Sequence, residues 1–262
     1  MLHTAKPVGE LLREWRQRRR RSQLDLALDA DISTRHLSFL ETGRASPSRD
    51  MVLRLAEQLD VPLRERNTLL VAAGFAPVFS ERPLADPALR GARQAMEQVL
   101  AGHAPYPALA IDRLWTMVAA NGAVAPLLDG VAPALLQPPV NVLRLSLHPD
   151  GIAPRIGNLG EWRAHLLARL RRQVELSADA ALADLLRELS AYPAPSGRPP
   201  AEPEPGGPLV PLRLTARGET LNLFSTTTVF GTPVDITVAE LALEAFFPAD
   251  AATADALRRL VG

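Results

Sequence analysis

Along residues 8–74 the apolar positions recur at three- and four-residue spacing in short runs, each closed by a turn residue. Leu11, Leu12 and Trp15 predict a first helix over 8–21, its arginines turned outward or gathered at its end. Ser22 is an N-cap for a second, starting at Gln23, with Leu24, Ala27 and Leu28 as its apolar face. Ser33 caps a third, in which Leu37 and Leu40 point inward and Gly43 ends the helix. Ser48 caps a fourth over 49–59, with Met51, Val52, Leu55, Ala56 and Leu59 inward, and residues 63–73 form a fifth that Gly74 stops. The expectation is an all-α five-helix unit within residues 1–80.

Residues 75–85 read as a hinge. Asp86-Pro87 opens a helix to about Leu100, so 81–104 is a connecting helix that links two halves or builds a dimer seam. From Pro105 the pattern shortens. Ala108–Ile111 and Leu114–Asn121 predict two strands around an Asp112-Arg113 turn. Asn121 is placed to cap a short helix over 122–128. The run 142–147 fits either a helix capped by Asn141 or a strand. The longest helix signal is 160–176, with Trp162, Leu166, Leu167, Leu170 and Val174 inward and Arg163, Arg169, Arg171 and Arg172 outward; another helix covers 180–191. Residues 193–208 are Pro/Gly-rich and read as a surface loop. A β-hairpin turning at Arg217-Gly218-Glu219 follows, then a strand over 233–237 and helices over 238–247 and 252–260. Residues 105–262 are therefore expected to form an α+β domain with an antiparallel sheet.

Apolar residues make up 47% of the 262, enough to bury one large core or two ordinary ones. There is no Cys, which removes disulfides and thiolate metal sites and fits a reducing cytoplasm. No apolar run approaches the roughly 20 residues of a membrane span. MLHTAKPVGELLREW lacks the apolar segment of a signal peptide. Net charge is zero, but residues 1–80 hold 13 Lys and Arg against 10 Asp and Glu, while 81–262 hold 16 against 19. The positive excess gathers at Arg13, Arg16 and Arg18 to Arg21, and a local patch is what a phosphate backbone meets.

That patch adjoins Ser22–Gly43, which reads as two helices joined by a tight turn. Its second helix leaves Ser33, Thr34, Arg35, Ser38 and Phe39 outward, a set suited to base edges in a DNA major groove. Phe39 either meets thymine methyls or covers the edge of the core. The five histidines, His3, His36, His103, His148 and His165, show no metal spacing. Ser225 to Thr228 lie in a strand pattern with no G-x-S-x-G turn. Neither a catalytic site, a metal nor a cofactor is expected.

Gln23-x-x-x-Ala27, Ile32-Ser33, Leu37, Leu40-Glu41-x-Gly43-Arg44, Pro47 and Leu59-Asp60-Val61 resemble the Cro/C1-type (XRE) helix-turn-helix regulators over about fifty residues. The resemblance implies that Gln23 clamps a phosphate, that Thr34, Arg35, Ser38 and Phe39 face the groove, that Arg44 and its loop touch phosphates, and that Glu41 is a structural acid. Arg18 and Arg19 join the expected phosphate contacts. Asp31 stands where the turn usually has Gly. Arg35 to Arg44, Ala73 to Pro77, Asn141-Val142-x-Arg144, Leu147-His148-Pro149, Trp162-Arg163 and Phe224 to Pro233 resemble the MmyB-like branch over nearly the whole chain. This implies a PAS-like C-terminal domain with a small ligand, for which a fatty acid is one precedent.

The strand 220–230 has two faces, one with Leu221, Leu223, Ser225, Thr227 and Val229, the other with Asn222, Phe224, Thr226, Thr228 and Phe230. Either face can line a pocket. The candidate ligand residues are Trp115, Asn121, Arg144, Trp162, Phe224, Thr226 and Phe230, each aromatic among them also fitting plain core packing. Arg144, if inward, needs an anion, either a protein carboxylate or a ligand. The reading is a ligand-responsive repressor, a homodimer on a palindromic double-stranded DNA site, sensing a small apolar or fatty-acid-like effector. Alternatives are a carrier or enzyme tethered by its N-terminal half, and a protein-interaction use of the helix-turn-helix.

Overall fold

Ser22, Ser33 and Ser48 each accept a hydrogen bond from the backbone N–H three residues on, at 3.1, 3.1 and 3.2 Å, and so start three helices where the sequence places them. The computed structural model describes residues 6–193 and 210–261. The Pro/Gly-rich stretch read as a loop therefore lies, beyond Pro193, outside the described residues. The chain divides into two units, one made of residues up to Arg82 with 175–177 and 233–236, the other of the remainder.

The first unit holds α1 (Val8–Arg18), α2 (Gln23–Asp29), α3 (Thr34–Glu41), α4 (Arg49–Gln58) and α5 (Leu63–Ala72). Leu12, Leu26, Leu37, Leu40, Leu55, Leu59, Leu69 and Leu70 are fully buried in its core. Burial of each contributes about 1.5–3 kcal/mol. Gly9 lets α1 lie directly on α3, since a Cβ there would sit 2.2 Å from the Leu40 carbonyl oxygen.

Two expectations about this unit are corrected. α1 stops at Arg18, because Arg20 adopts φ +53° and the Arg21 N–H folds back onto the Arg16 carbonyl at 3.0 Å. The inward stripe of α2 is Leu26 and Ala27, continued by Ala30; Leu24 and Leu28 are exposed. Among its neighbours Ala27 alone belongs to both stripes, and the core sits on the Leu26 side of it.

The second unit opens with a 3-10 turn at Pro87–Leu89 and α6 (Arg90–Gly102). It continues through β1 (Ala108–Ile111), β2 (Met117–Ala120), a 3-10 segment at Gly122–Leu128, α7 (Val142–Leu147), α8 (Leu159–Ser177), α9 (Ala180–Ala191), β3 (Leu212–Ala216) and β4 (Glu219–Val229). A short α10 (Ile236–Ala239), β5 (Ala242–Pro248) and α11 (Ala251–Val261) complete the chain. The five strands form one antiparallel sheet in the order β2-β1-β5-β4-β3. This is the α+β arrangement expected.

The position of β5 overturns the sequence reading most. Residues 238–247 were expected as helix and 233–237 as strand; residues 242–248 instead form the central strand, paired with β1 from Ala108–Ala245 to Ile111–Ala242 and with β4 from Leu223–Pro248 to Val229–Ala242. Ala, Leu and Glu favour a helix locally. Two ladders that would otherwise end in unpaired N–H and C=O groups override that preference. Asn141 resolves the open choice at 142–147, since its Oδ1 accepts from the N–H groups of Leu143 and Arg144, both at 3.1 Å, and starts a helix.

The alternation of side chains sorts the sheet into two faces. Ala108, Ala110 and Leu243 pack with Met96 and Leu100 of α6. Leu109, Ile111, Leu212, Leu214, Leu221 and Leu223 face the main core with α7, α8 and α9.

Candidate functional site

The first candidate surface is built on α2 and α3. The turn between them works without Gly, as Asp31 takes φ +52° and the Ile32 N–H reaches the Ala27 carbonyl at 2.9 Å. Ser22 and Asp25 close a reciprocal cap at the start of α2, with Ser22 N donating to the Asp25 carboxylate at 3.2 Å. These hydrogen bonds hold the Asp25 carboxyl below its usual range.

Behind α2 and α3 lies a buried ion pair. Arg16 donates from Nε and Nη2 to the two oxygens of Glu41 at 2.6 and 2.8 Å, and Gln23 Nε2 donates to the same carboxylate at 2.8 Å. The hydrogen bonds to Glu41 raise the Arg16 guanidinium above its ordinary value. Arg16, expected to point outward, is therefore part of the interior. Glu41 is the structural acid the resemblance implied.

The arginine run is also largely engaged. Arg19 donates to the carbonyls of Leu59 and Asp60, both at 2.8 Å, and Arg21 donates to that of Gln58 at 3.1 Å and pairs with Asp29. These two cations satisfy the carbonyl end of α4 and complement its dipole. Arg19 thus differs from the free phosphate contact expected of it; burial lowers its guanidinium below the ordinary value. Arg18 is exposed, its guanidinium 5.4 Å from the Trp15 ring.

On the outer side of α3, Thr34, Arg35, Ser38 and Phe39 form one stripe, with Ser33 as the cap before it. Phe39 is half-buried, and its ring has Arg35 at 5.3 Å and Arg44 at 5.9 Å. The ring is therefore partly open on the outer face of α3, beside two guanidinium groups.

The second candidate site is a cavity of about 100 Å³ inside the second unit. Its wall is apolar for most of its extent, including Leu109, Met117, Val124, Leu127, Val142, Leu145, Leu166, Leu214 and Phe246. Two expected residues line it, Trp115 and Trp162. Trp162 Nε1 donates to Ser146 Oγ at 2.9 Å, and His165 stacks on its ring at 5.6 Å. Burial and, after it, the charge of Arg169 hold His165 below the usual imidazole value.

Trp115 is held in an unusual backbone state, φ +65°, costly for a bulky side chain. Asp112 Oδ1 accepts from the N–H groups of Leu114 and Thr116, both at 2.8 Å, and Asn141 Nδ2 donates to the Leu114 carbonyl at 2.8 Å. These bonds fix the turn and aim the indole at the cavity, where Nε1 donates to Gln173 at 2.7 Å and the Arg169 guanidinium lies 4.6 Å over the ring.

The other five expected ligand residues lie elsewhere. Arg144 donates to Glu188 from Nε and Nη2 at 2.8 and 2.7 Å, so its anion is a protein carboxylate. Tyr192 donates to the same Glu188 at 2.6 Å, and burial first and this bond second push the phenol up to about 12. Asn121 neither lines the cavity nor caps the 3-10 segment. Its Oδ1 accepts from Ala108 N at 3.1 Å, and its Nδ2 donates to the carbonyls of Leu100 and Tyr106 at 3.1 and 2.8 Å. Phe224, Thr226 and Phe230 are on the α6 side of the sheet, where Phe224 stacks on Phe247 at 5.3 Å and Phe230 packs near Met96 and Leu100.

Of the cavity's polar residues, Ser225 lies on one of the two strand faces held open as a pocket wall, while Arg169, Glu244 and Ser146 were not anticipated. Arg169 was assigned outward on α8. Yet Trp162, Leu166, Arg169 and Gln173 follow one another at spacings of four, three and four, which is one helix stripe, and this signal is present in the sequence. Glu244 was hidden by the helix assigned to β5. Ser225 shares the face of Leu221 and Leu223.

A reading helix on a capped turn and an apolar cavity in a separate α+β unit define a DNA-binding transcription regulator with a ligand-binding domain. A family model of helix-turn-helix domains matches residues 12–66. The model described as the MmyB-like transcription regulator ligand binding domain matches residues 92–260, well over half of the chain, and the chain belongs to that family of regulators. No curated protein matches it. Among the described residues no helix is long and apolar enough to cross a membrane, and no three His, Asp or Glu groups gather as metal ligands.

Proposed function

We propose that the chain is a cytoplasmic, sequence-specific repressor that binds a palindromic operator as a homodimer and releases it, or grips it, according to a small apolar or fatty-acid-like effector. The observation that carries the DNA half is the Arg35–Phe39–Arg44 arrangement on the exposed face of α3. In this reading Thr34, Arg35, Ser38 and Phe39 read base edges and Arg44 and Arg18 meet phosphates. Ser33, as the α3 cap, sets the angle of entry. Gln23 uses one amide N–H on Glu41, and the second N–H of the same group is left for a phosphate oxygen.

The effector half rests on the apolar cavity. An effector acts only through a difference in affinity between DNA-competent and incompetent forms. No catalytic role is proposed. The deciding experiment is selection of bound sequences from random DNA by the purified chain, followed by titration with salt. A recurrent inverted repeat and salt-sensitive, saturable binding support the proposal. Equal affinity for selected and random DNA, with and without lipid extract, removes it.

A further inference from the structure

The apolar cavity has one charged end, and that end is already neutralised. Arg169 Nη2 pairs with Glu244 and donates to Thr227 Oγ1 at 2.7 Å; Thr227 Oγ1 donates in turn to Glu244 Oε1 at 3.0 Å. Glu244 is 5% exposed. The guanidinium also lies over the Trp115 ring, 4.6 Å from its centroid, which favours its staying on that side. Among the described residues, Nε and Nη1 of Arg169 meet no acceptor, and both Arg169 and Glu244 face the cavity.

Resting on the reading that this cavity is the effector site, we propose that it selects an uncharged acceptor on an apolar chain, such as the carbonyl of an ester, amide or lactone, over the matching free carboxylate. A carbonyl oxygen accepts from the spare donors of Arg169 and adds no charge. A carboxylate at the same place becomes a second anion on a guanidinium that Glu244 already balances. In a wall this apolar the excess negative charge is poorly solvated and stays strongly coupled to Glu244. The donors fix where the acceptor sits, and Glu244 sets the charge the site tolerates.

The size of the cavity narrows the chain. At about 100 Å³ it is smaller than the roughly 150 Å³ engineered cavity that holds benzene, so it favours a short chain, and a six-carbon one enters as the wall gives. The test uses the full chain and a six-carbon set: hexanoate, methyl hexanoate and hexanamide, by calorimetry at about pH 8, where the acid is ionised. The ester or the amide is expected to bind at least about tenfold more tightly than hexanoate. In Glu244→Gln the carboxylate-to-ester affinity ratio is expected to rise at least about tenfold, because the competing anion is gone. Glu244→Asp keeps the charge and should keep the wild-type ranking, which separates charge from packing.

Hexanoate binding as tightly as the ester, or a ratio unmoved in Glu244→Gln, overturns the head-group inference while leaving the cavity as an effector site. Failure of every member of the set, with four- and eight-carbon homologues included, overturns the cavity reading and the inference with it.

Discussion

Arg16 and Glu41, 25 positions apart, meet through two parallel hydrogen bonds of 2.6 and 2.8 Å at the back of the helix that faces outward with Arg35 and Phe39. The pair fastens α1 to the last residue of α3, and Gln23 joins it from α2. Removing one partner strands a buried charge. Glu41→Ala or Arg16→Ala is expected to destabilise the helical unit by about 3–5 kcal/mol and to abolish specific DNA binding. Arg16→Met with Glu41→Leu should restore much of the stability. Urea unfolding followed by circular dichroism checks both, and a double variant no more stable than the single ones contradicts the account.

Asp31 occupies the left-handed backbone region without the freedom of Gly. Asp31→Gly is expected to leave stability unchanged or raise it by up to about 1 kcal/mol. Asp31→Val, whose branched side chain resists that geometry, is expected to cost about 1–2 kcal/mol or more. Asp31→Val should melt below wild type and Asp31→Gly at or above it; a Val variant as stable as the Gly one would show that the turn is not under this constraint.

Phe39 and Arg44 touch, yet different losses are expected from them. If Phe39 reads the groove as proposed, Phe39→Ala should lower affinity for the selected operator by about 1–3 kcal/mol and alter the preferred sequence, because it removes that contact and the ring beside Arg35. Arg44→Ala should weaken selected and random DNA alike and reduce the salt slope by about 0.9 for the one phosphate lost. Anisotropy titrations at several salt concentrations distinguish them. A sequence-independent loss in Phe39→Ala would place the ring off the groove.

His165 has its folded pKa depressed below the ordinary 6.5, chiefly by burial. The folded state then binds fewer protons than the unfolded one. Its contribution to stability is fully present above about pH 6.5 and is lost as pH falls through the depressed folded value. Wild type is therefore expected to lose more stability than His165→Gln between about pH 7 and 5. Parallel pH dependences in denaturant titrations of the two would remove His165 as a source.

The helical unit was legible because its contacts are local. Serine caps, glycine stops and the Leu37–Leu40 stripe carry their own instructions, and the structure follows them. Even there, Leu24 and Leu28 show that a stripe can be read one position off when a helix is only seven residues long. The α+β unit was less legible for a physical reason. β5 takes its conformation from strands distant in sequence, and a strand's two faces exchange with a shift of one residue. Ser225 shares the face of Leu221 and Leu223 and lines the cavity, while Phe224 and Thr226 lie on the opposite face, so Ser225 belongs to the site and they do not. Of the two partners open to Arg144, a protein carboxylate or a ligand, the structure shows the carboxylate of Glu188; the cation that lines the cavity is Arg169, on a stripe that its charge made easy to misassign.

The place of β5 between β1 and β4 also has a consequence in time. Ala108 and Ala245 are ladder partners although more than 130 positions separate them. During synthesis the β1–β2 and β3–β4 hairpins can form early, but each keeps an open edge until residues 242–248 emerge. The helices α1 to α5 wait for no such partner, since their core is drawn from residues 12–70. The five-helix unit can therefore fold during synthesis before the cavity is enclosed, and the pairing of β5 with β1, which must close a long loop, is expected to follow it.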